Sequence, residues 1–230
     1  MKDYGSRVYP LWREAADSAW TRYTKHAFVE GLATGELPLA AFRHYLIQDY
    51  LFLMHFSRAW SLVVVKADTI DEMRHAAATV DALVNQEMQL HVSTCAGFGL
   101  SEAQLGQAQE AAANIAYTRY VLDAGYAGDL LDLLAALAPC VFGYGEIGAR
   151  LKPLSGPDNP YQNWIDTYAA SDYQAVCETV GQLIDESIER RLGTSPQSSP
   201  RWPRLCDRFR QATELEVNFW QMGLDGPADG

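Results

Sequence analysis

Apolar residues recur every three or four positions along almost the whole chain, and this regularity confines it to helical folds. The short β-branched run LVVV at 62–65 lies inside such a segment and is not read as a strand. Residues 8–32 (VYPLWREAADSAWTRYTKHAFVEGL) read as helical, ending near Gly31, with Gly35 and Pro38 punctuating the loop that follows. A long helix is expected from Leu39 to about Lys66, and a third segment from Asp68 to about Phe98, interrupted by nothing stronger than Thr and Asn. Ser101 with Glu102 and Gln104 marks a helix start, running to about Ala124. Gly125 and Gly128 bracket an expected short loop, after which Asp129 caps a helix to about Lys152. PLSGPDNP at 153–160 is a loop. A short helix over Tyr161–Tyr168 follows, then one capped by Ser171 and running to about Leu192. GTSPQSSP at 193–200 is the last loop, before a helix from about Arg201 to Met222 and a frayed tail over 223–230. The expectation is an all-α chain of about eight helices, several longer than about twenty residues, in which 1–230 form a single domain.

A chain of 230 residues can bury a substantial core, and 48% hydrophobic with 20% charged residues is ordinary for a globular protein. A net charge of −11 argues against a nucleic-acid surface and against anionic membranes, since both need clustered Lys and Arg. The N-terminal MKDYGSRVYPLWREAADSAW lacks the apolar stretch of a signal peptide, and no run reaches the ~18 apolar residues of a membrane span. Four cysteines (Cys95, Cys140, Cys177 and Cys206) stand far apart with no CxxC pair, which fits free thiols in a reducing cytoplasm and argues against zinc.

Metal chemistry is poorly provided for. A di-iron bundle needs Glu-x-x-His on two helices with further glutamates. The histidines are His26, His44, His55, His75 and His91, with none after residue 91, and only Glu87 with His91, spaced i to i+4, approaches a ligand pair. No metal and no cofactor are expected, and His26 reads as a helix-end or loop hydrogen-bonding residue rather than a haem ligand.

The segment LAPCVFGYGEIG at 137–148 is the strongest chemical signal. A free cysteine is ordinarily a small, buried and inert residue, and Cys95, Cys177 and Cys206 are read so, with Cys177 in an apolar stripe of Tyr173, Val176 and Val180. Cys140 differs in its company. Pro139 inside a helix bends the axis and makes room, Gly143 and Gly145 remove side chains beside the thiol, and Tyr144 lies one turn on. A reactive thiol also needs a base, which must come from another helix. Asp49, in HYLIQDYLFLMHF, shares a face with Phe52 and Phe56; it is either a surface carboxylate or one set beside rings to recognise a flat base. Glu216, in ELEVNFWQM, stands one turn before Phe219 and Trp220 with the same alternatives, and Tyr117 and Tyr168 add polar-tipped rings. One thiol, two carboxylates and several aromatics fit covalent attack on an electron-poor heteroaromatic ring, with a carboxylate moving protons at the leaving group.

Several blocks resemble the TenA/THI-4 family. HAFV at 26–29, the Gly-Glu-Leu-Pro turn, the Gln48–Asp49 pair, EMQLH at 87–91, ALAPCVFGYGEIG, NPYQNWIDTYAASDY and ELEVNFWQM occur in the family's order over roughly residues 10–222. The resemblance implies a haem-oxygenase-like all-α fold without haem or metal, assembled as a homotetramer. Its cysteine-containing branch is aminopyrimidine aminohydrolase, or thiaminase II, which replaces the amino group of 4-amino-5-aminomethyl-2-methylpyrimidine by hydroxyl for thiamine salvage and also cleaves thiamine. Carried over by position, Cys140 becomes the nucleophile and Glu216 the acid/base. Asp49 holds the aminopyrimidine edge, and Phe52, Tyr117, Tyr144 and Tyr168 line the pocket. The chain departs from the family at Val141–Phe142, where Tyr-Trp is common, and at Phe52, where Tyr is common, which bears on substrate preference more than on reaction type. Two other readings compete: a pyrimidine-binding or regulatory protein without useful turnover, and an oxidoreductase on the same fold.

Overall fold

A computed structural model describes residues 2–227. No strand occurs among them, so the expected all-α class holds. The first helices are α1 (Val8–Ala15), α2 (Asp17–Thr24), α3 (Ala27–Thr34) and α4 (Leu39–Lys66). Next come α5 (Ile70–Ala82), a π-helical segment Leu83–Glu87, α6 (Met88–Gly97), α7 (Glu102–Gln107) and α8 (Ala112–Ala127). The series closes with α9 (Leu130–Leu151), α10 (Gln162–Ala169), α11 (Ser171–Leu192), a 3-10 turn Pro196–Ser198 and α12 (Trp202–Asp225). The chain divides into two compact units, Met1–Leu37 with Leu134–Val217, and Pro38–Leu133 with Asn218–Gly230.

In the first unit, the helix expected over 8–32 is three. Ala16 leaves helical geometry with φ −108° and ψ 12°, and His26 is the N-cap of α3, its Nδ1 accepting from Phe28 N at 3.2 Å. The helix-end role read for His26 is thus correct, and it accounts for the break. The start of α1 is capped from a distant helix: Asp185 on α11 accepts from Arg7 N at 2.7 Å and Val8 N at 3.1 Å, and Ser6 Oγ donates to it at 2.7 Å. A carboxylate there satisfies backbone donors the helix cannot satisfy and complements its positive end. Around α1, α2 and α9 lies an aromatic core, with Tyr9 stacked on Phe142 at 4.1 Å and Trp20 on Phe209 at 5.5 Å. Phe142, at a position where the sequence departs from the family pattern, is fully buried. Ser171 is the first residue of α11, not its cap; Ala170 holds that position, and the Ser171 hydroxyl bonds to Asp172.

In the second unit α4 is central, and its bounds are those expected. The continuous helix expected from Ser101 to Ala124 is instead α7 and α8, and the Gln48 side chain explains the break. Its Nε2 donates to Gln109 O at 2.9 Å and its Oε1 accepts from Ala111 N at 2.9 Å, so the non-helical backbone at 108–111 finds partners it would otherwise lack. The Ser101–Gln104 capping box read from the sequence is present. Gly125 does not open a loop: α8 continues through it to Ala127, and a Cβ there would lie 3.0 Å from Leu62 Cδ1, so the glycine lets α8 approach α4 closely. The tail expected to fray from residue 223 is helical through Asp225, while residues 228–230 lie outside the described residues. The helix α9 is long and apolar enough to cross a membrane by length and composition, although Asp132 and Glu146 interrupt its apolar run. Its apolar window is 89% buried in the protein, as a core helix requires.

Candidate active site

The helix α9 carries Cys140, and Pro139 lies within its span without ending it. Proline removes the bond its N–H would make to Ala135 O. Beside the thiol, Val141 O accepts from Tyr173 Oη at 3.3 Å and from Cys177 Sγ at 3.4 Å, which fastens α11 to α9 at that point. Cys140 is half-buried. Burial pushes the Cys95 and Cys177 thiols up to about 12 and that of Cys206 up to about 11, which disfavours their thiolate forms at neutral pH.

The glycines do not keep open space beside Cys140. A Cβ on Gly143 would fall 2.0 Å from Tyr23 Cε1, and one on Gly145 would fall 2.7 Å from Cys177 Sγ and 2.8 Å from the Tyr4 hydroxyl. Both positions are notches filled by neighbouring side chains, which corrects the expectation that they leave space beside the thiol. Tyr144 and Tyr168, expected together, meet edge to face at 4.8 Å. Trp164 joins them at 4.7 Å from Tyr168 and 5.8 Å from Tyr144, a third ring that the sequence reading did not single out. Its place in the NPYQNW block, four residues before Tyr168, was the available signal.

Glu146, whose role the sequence left open, faces α1 and α2. It accepts from Arg13 Nε at 3.1 Å and Nη2 at 3.0 Å, from Trp20 Nε1 at 3.2 Å and from Tyr9 Oη at 3.3 Å. Two oxygens taking four donors make a structural clamp, not a proton donor waiting for a ligand. Glu216 is a different kind of carboxylate. It lies on α12 with only 1% of its surface exposed, so the surface reading for it falls away. A carboxylate so deeply placed requires hydrogen-bonding partners or a proton.

In the second unit Asp49 is likewise buried, at 4% exposure, which removes the surface alternative. It accepts from Tyr45 Oη at 3.3 Å, and His91 Nδ1 lies 3.4 Å from its Oδ2. Burial pushes its carboxyl up to about 7, against the lowering effect of the Tyr45 hydroxyl. Glu87, half-buried, is also pushed up to about 7, first by burial and then by the charge of Asp49. Burial lowers His91, so its neutral form is favoured. The i to i+4 spacing of Glu87 and His91 points only to a metal pair. Among the described residues no three His, Cys, Asp or Glu are grouped to hold a metal ion. Phe52, one turn beyond Asp49, packs on Tyr117 at 5.0 Å, on Phe56 at 5.3 Å and on Phe219 at 5.5 Å. Phe52 and Tyr117, expected in one pocket, are therefore in contact.

Residues 13–226 match the model of the TENA/THI-4/PQQC family. The chain is 41% identical over 214 residues to an uncharacterised protein of Haemophilus influenzae, covering 92% of this chain and 96% of that one. It is 33% identical to an aminopyrimidine aminohydrolase of Halalkalibacterium halodurans, covering 92% of this chain and 93% of the relative. A crystal structure described as a TenA family transcription regulator, from Silicibacter sp. TM1040, superposes with a TM-score of 0.95 at 58% identity, over 97% of this chain and 99% of that one.

Proposed function

Because the chain belongs to the TENA/THI-4/PQQC family, we propose that it is an aminopyrimidine aminohydrolase of the thiaminase II type. The observation that carries this reading is end-to-end similarity to an aminopyrimidine aminohydrolase. The site residues are compatible with it: of the four thiols Cys140 is one of two that are not fully buried, and two buried carboxylates, Asp49 and Glu216, stand in helices rich in aromatic residues.

In this reading the Cys140 thiolate adds to the electron-poor pyrimidine ring. Glu216 gives a proton to the departing amine, and water supplies the hydroxyl that replaces it on the ring's methylene carbon. Elimination of the thiol then restores the aromatic ring. The net reaction is R–CH2–NH2 plus water to R–CH2–OH plus ammonia; with thiamine the leaving group is the thiazole. Asp49 holds the amino and ring-nitrogen edge, and Phe52, Tyr117, Tyr144 and Tyr168 line the flat faces. The same reading expects a cytoplasmic homotetramer with no metal or cofactor.

The name borne by the Silicibacter structure favours a second reading, a pyrimidine-binding regulator without turnover. One assay separates the two: ammonia release from the aminomethylpyrimidine and thiazole release from thiamine, each measured with purified full-length protein. Turnover of the aminomethylpyrimidine in preference to thiamine is expected. Tight binding of the pyrimidine with no product after many hours would instead establish the regulator.

A further inference from the structure

Each nitrogen of the His91 ring has an oxygen beside it. Nε2 lies 2.8 Å from Leu46 O, and a carbonyl oxygen only accepts, so Nε2 carries hydrogen. In neutral histidine this leaves Nδ1 bare, and Nδ1 lies 3.4 Å from Asp49 Oδ2. A bare ring nitrogen facing an ionised carboxylate sets two lone pairs against each other where both side chains are buried. A single proton removes that conflict, whether it rests on the carboxyl or on the ring. The π-helical segment Leu83–Glu87 immediately precedes α6, which carries His91, and helps bring the ring to this position.

We propose that His91 is a positioning residue that keeps one proton between its Nδ1 and Asp49 Oδ2, and thereby fixes the orientation and hydrogen-bonding character of the Asp49 carboxyl toward an aminopyrimidine. The proposal rests on the reading of Asp49 as the ligand-binding carboxylate. Burial acts in the same direction, raising Asp49 and lowering His91, so the resting form is the acid facing a neutral ring. The titratable groups around the pair are Tyr45 on α4 itself, with Glu87 and Cys95 on the π-helical segment and α6. Burial raises Glu87 to about 7 as well, so it does not supply a competing full negative charge below about pH 7. From α8, Tyr117 packs on the neighbouring Phe52, and Phe219 of α12 adds an apolar ring. With its proton committed to His91 Nδ1, the carboxyl presents its other oxygen, Oδ1, as an oriented acceptor for an exocyclic amino group of the kind an aminopyrimidine carries.

The test has two arms. Nitrogen-15 spectra of the unliganded full-length protein report the His91 tautomer directly: hydrogen on Nε2 and an accepting, bare Nδ1 are expected from about pH 5.5 to 7. Hydrogen on Nδ1 with a bare Nε2, or an imidazolium persisting at pH 8, overturns the proposal. The second arm uses His91→Gln, whose amide can keep the bond to Leu46 O but offers no titrating nitrogen. Its KM for the aminopyrimidine is expected to rise about tenfold with kcat changed less than about threefold. The alkaline inflection of its kcat/KM profile should move about one unit lower, since the protonated carboxyl loses its acceptor. Wild-type KM and pH profile in His91→Gln would also overturn it. Should His91→Gln fail to fold, the wild-type tautomer decides. Absence of wild-type turnover would strike the functional reading alone, because the tautomer is measured without substrate.

Discussion

At the scale of single residues, three glutamates and aspartates of similar sequence appearance have separate tasks. Glu146 is spent on Arg13, Trp20 and Tyr9, so Glu146→Gln should destabilise the fold by about 2 kcal/mol in urea titration, by leaving a partly buried guanidinium short of its charge partner. Gly143→Ala should cost at least as much, about 2 kcal/mol, since its methyl would enter the volume held by the Tyr23 ring. Asp49 carries a pH signature. Its carboxyl rises from an ordinary value of 3.8 to about 7 on folding, so the folded chain binds its proton more tightly than the unfolded chain does. The sign follows: this group costs nothing below about pH 4, and its penalty grows as pH rises toward 7 and is complete above it. Asp49→Asn should therefore be more stable than wild type at pH 8 by about 1 kcal/mol or more, with the gain fading toward pH 4, read by thermal unfolding across that range. The sequence marked Asp49 and Glu216 as unusual because each stands among rings. That both are buried, and that Glu146 is a clamp, depends on partners more than a hundred positions away for Glu146 and so lay beyond local pattern.

At the scale of elements, long helices were legible and their interruptions were not. The bounds of α4 follow from Pro38 before it and an unbroken apolar period within it. Breaks at 108–111 and at His26 arise because a side chain offers the backbone a better partner than the helix does. In the first case that side chain, Gln48, comes from another helix. The π-helical segment was invisible for a related reason. In a regular α-helix the eight steps from Leu83 to His91 turn by about 800°, about 80° beyond two full turns. A π turn takes up about one extra residue, or about 100°, and returns His91 to the buried face with Leu83. Capping, by contrast, is local and was readable at Ser101. The capping box at Thr69, with Glu72 reaching back to Thr69 N at 3.3 Å, is its counterpart at the start of α5. Thr69→Ala should cost about 1 kcal/mol in denaturant unfolding, with the slope of the transition unchanged.

At the scale of the whole molecule, the ordered string of motifs carried more information than any one of them, and the family match over residues 13–226 covers both compact units. The proposed homotetramer predicts that light scattering returns the mass of four chains, and Ile70, Val84, Leu90 and Ile115 are exposed apolar residues of the second unit. Activity is the property on which the account stands. The decisive measurement is steady-state hydrolysis of the aminomethylpyrimidine by wild type and by Cys140→Ala, with matched unfolding curves for both. Loss of kcat/KM by about a thousandfold or more, at unchanged stability, is the predicted result for a covalent nucleophile. Full wild-type hydrolysis by folded Cys140→Ala would contradict it.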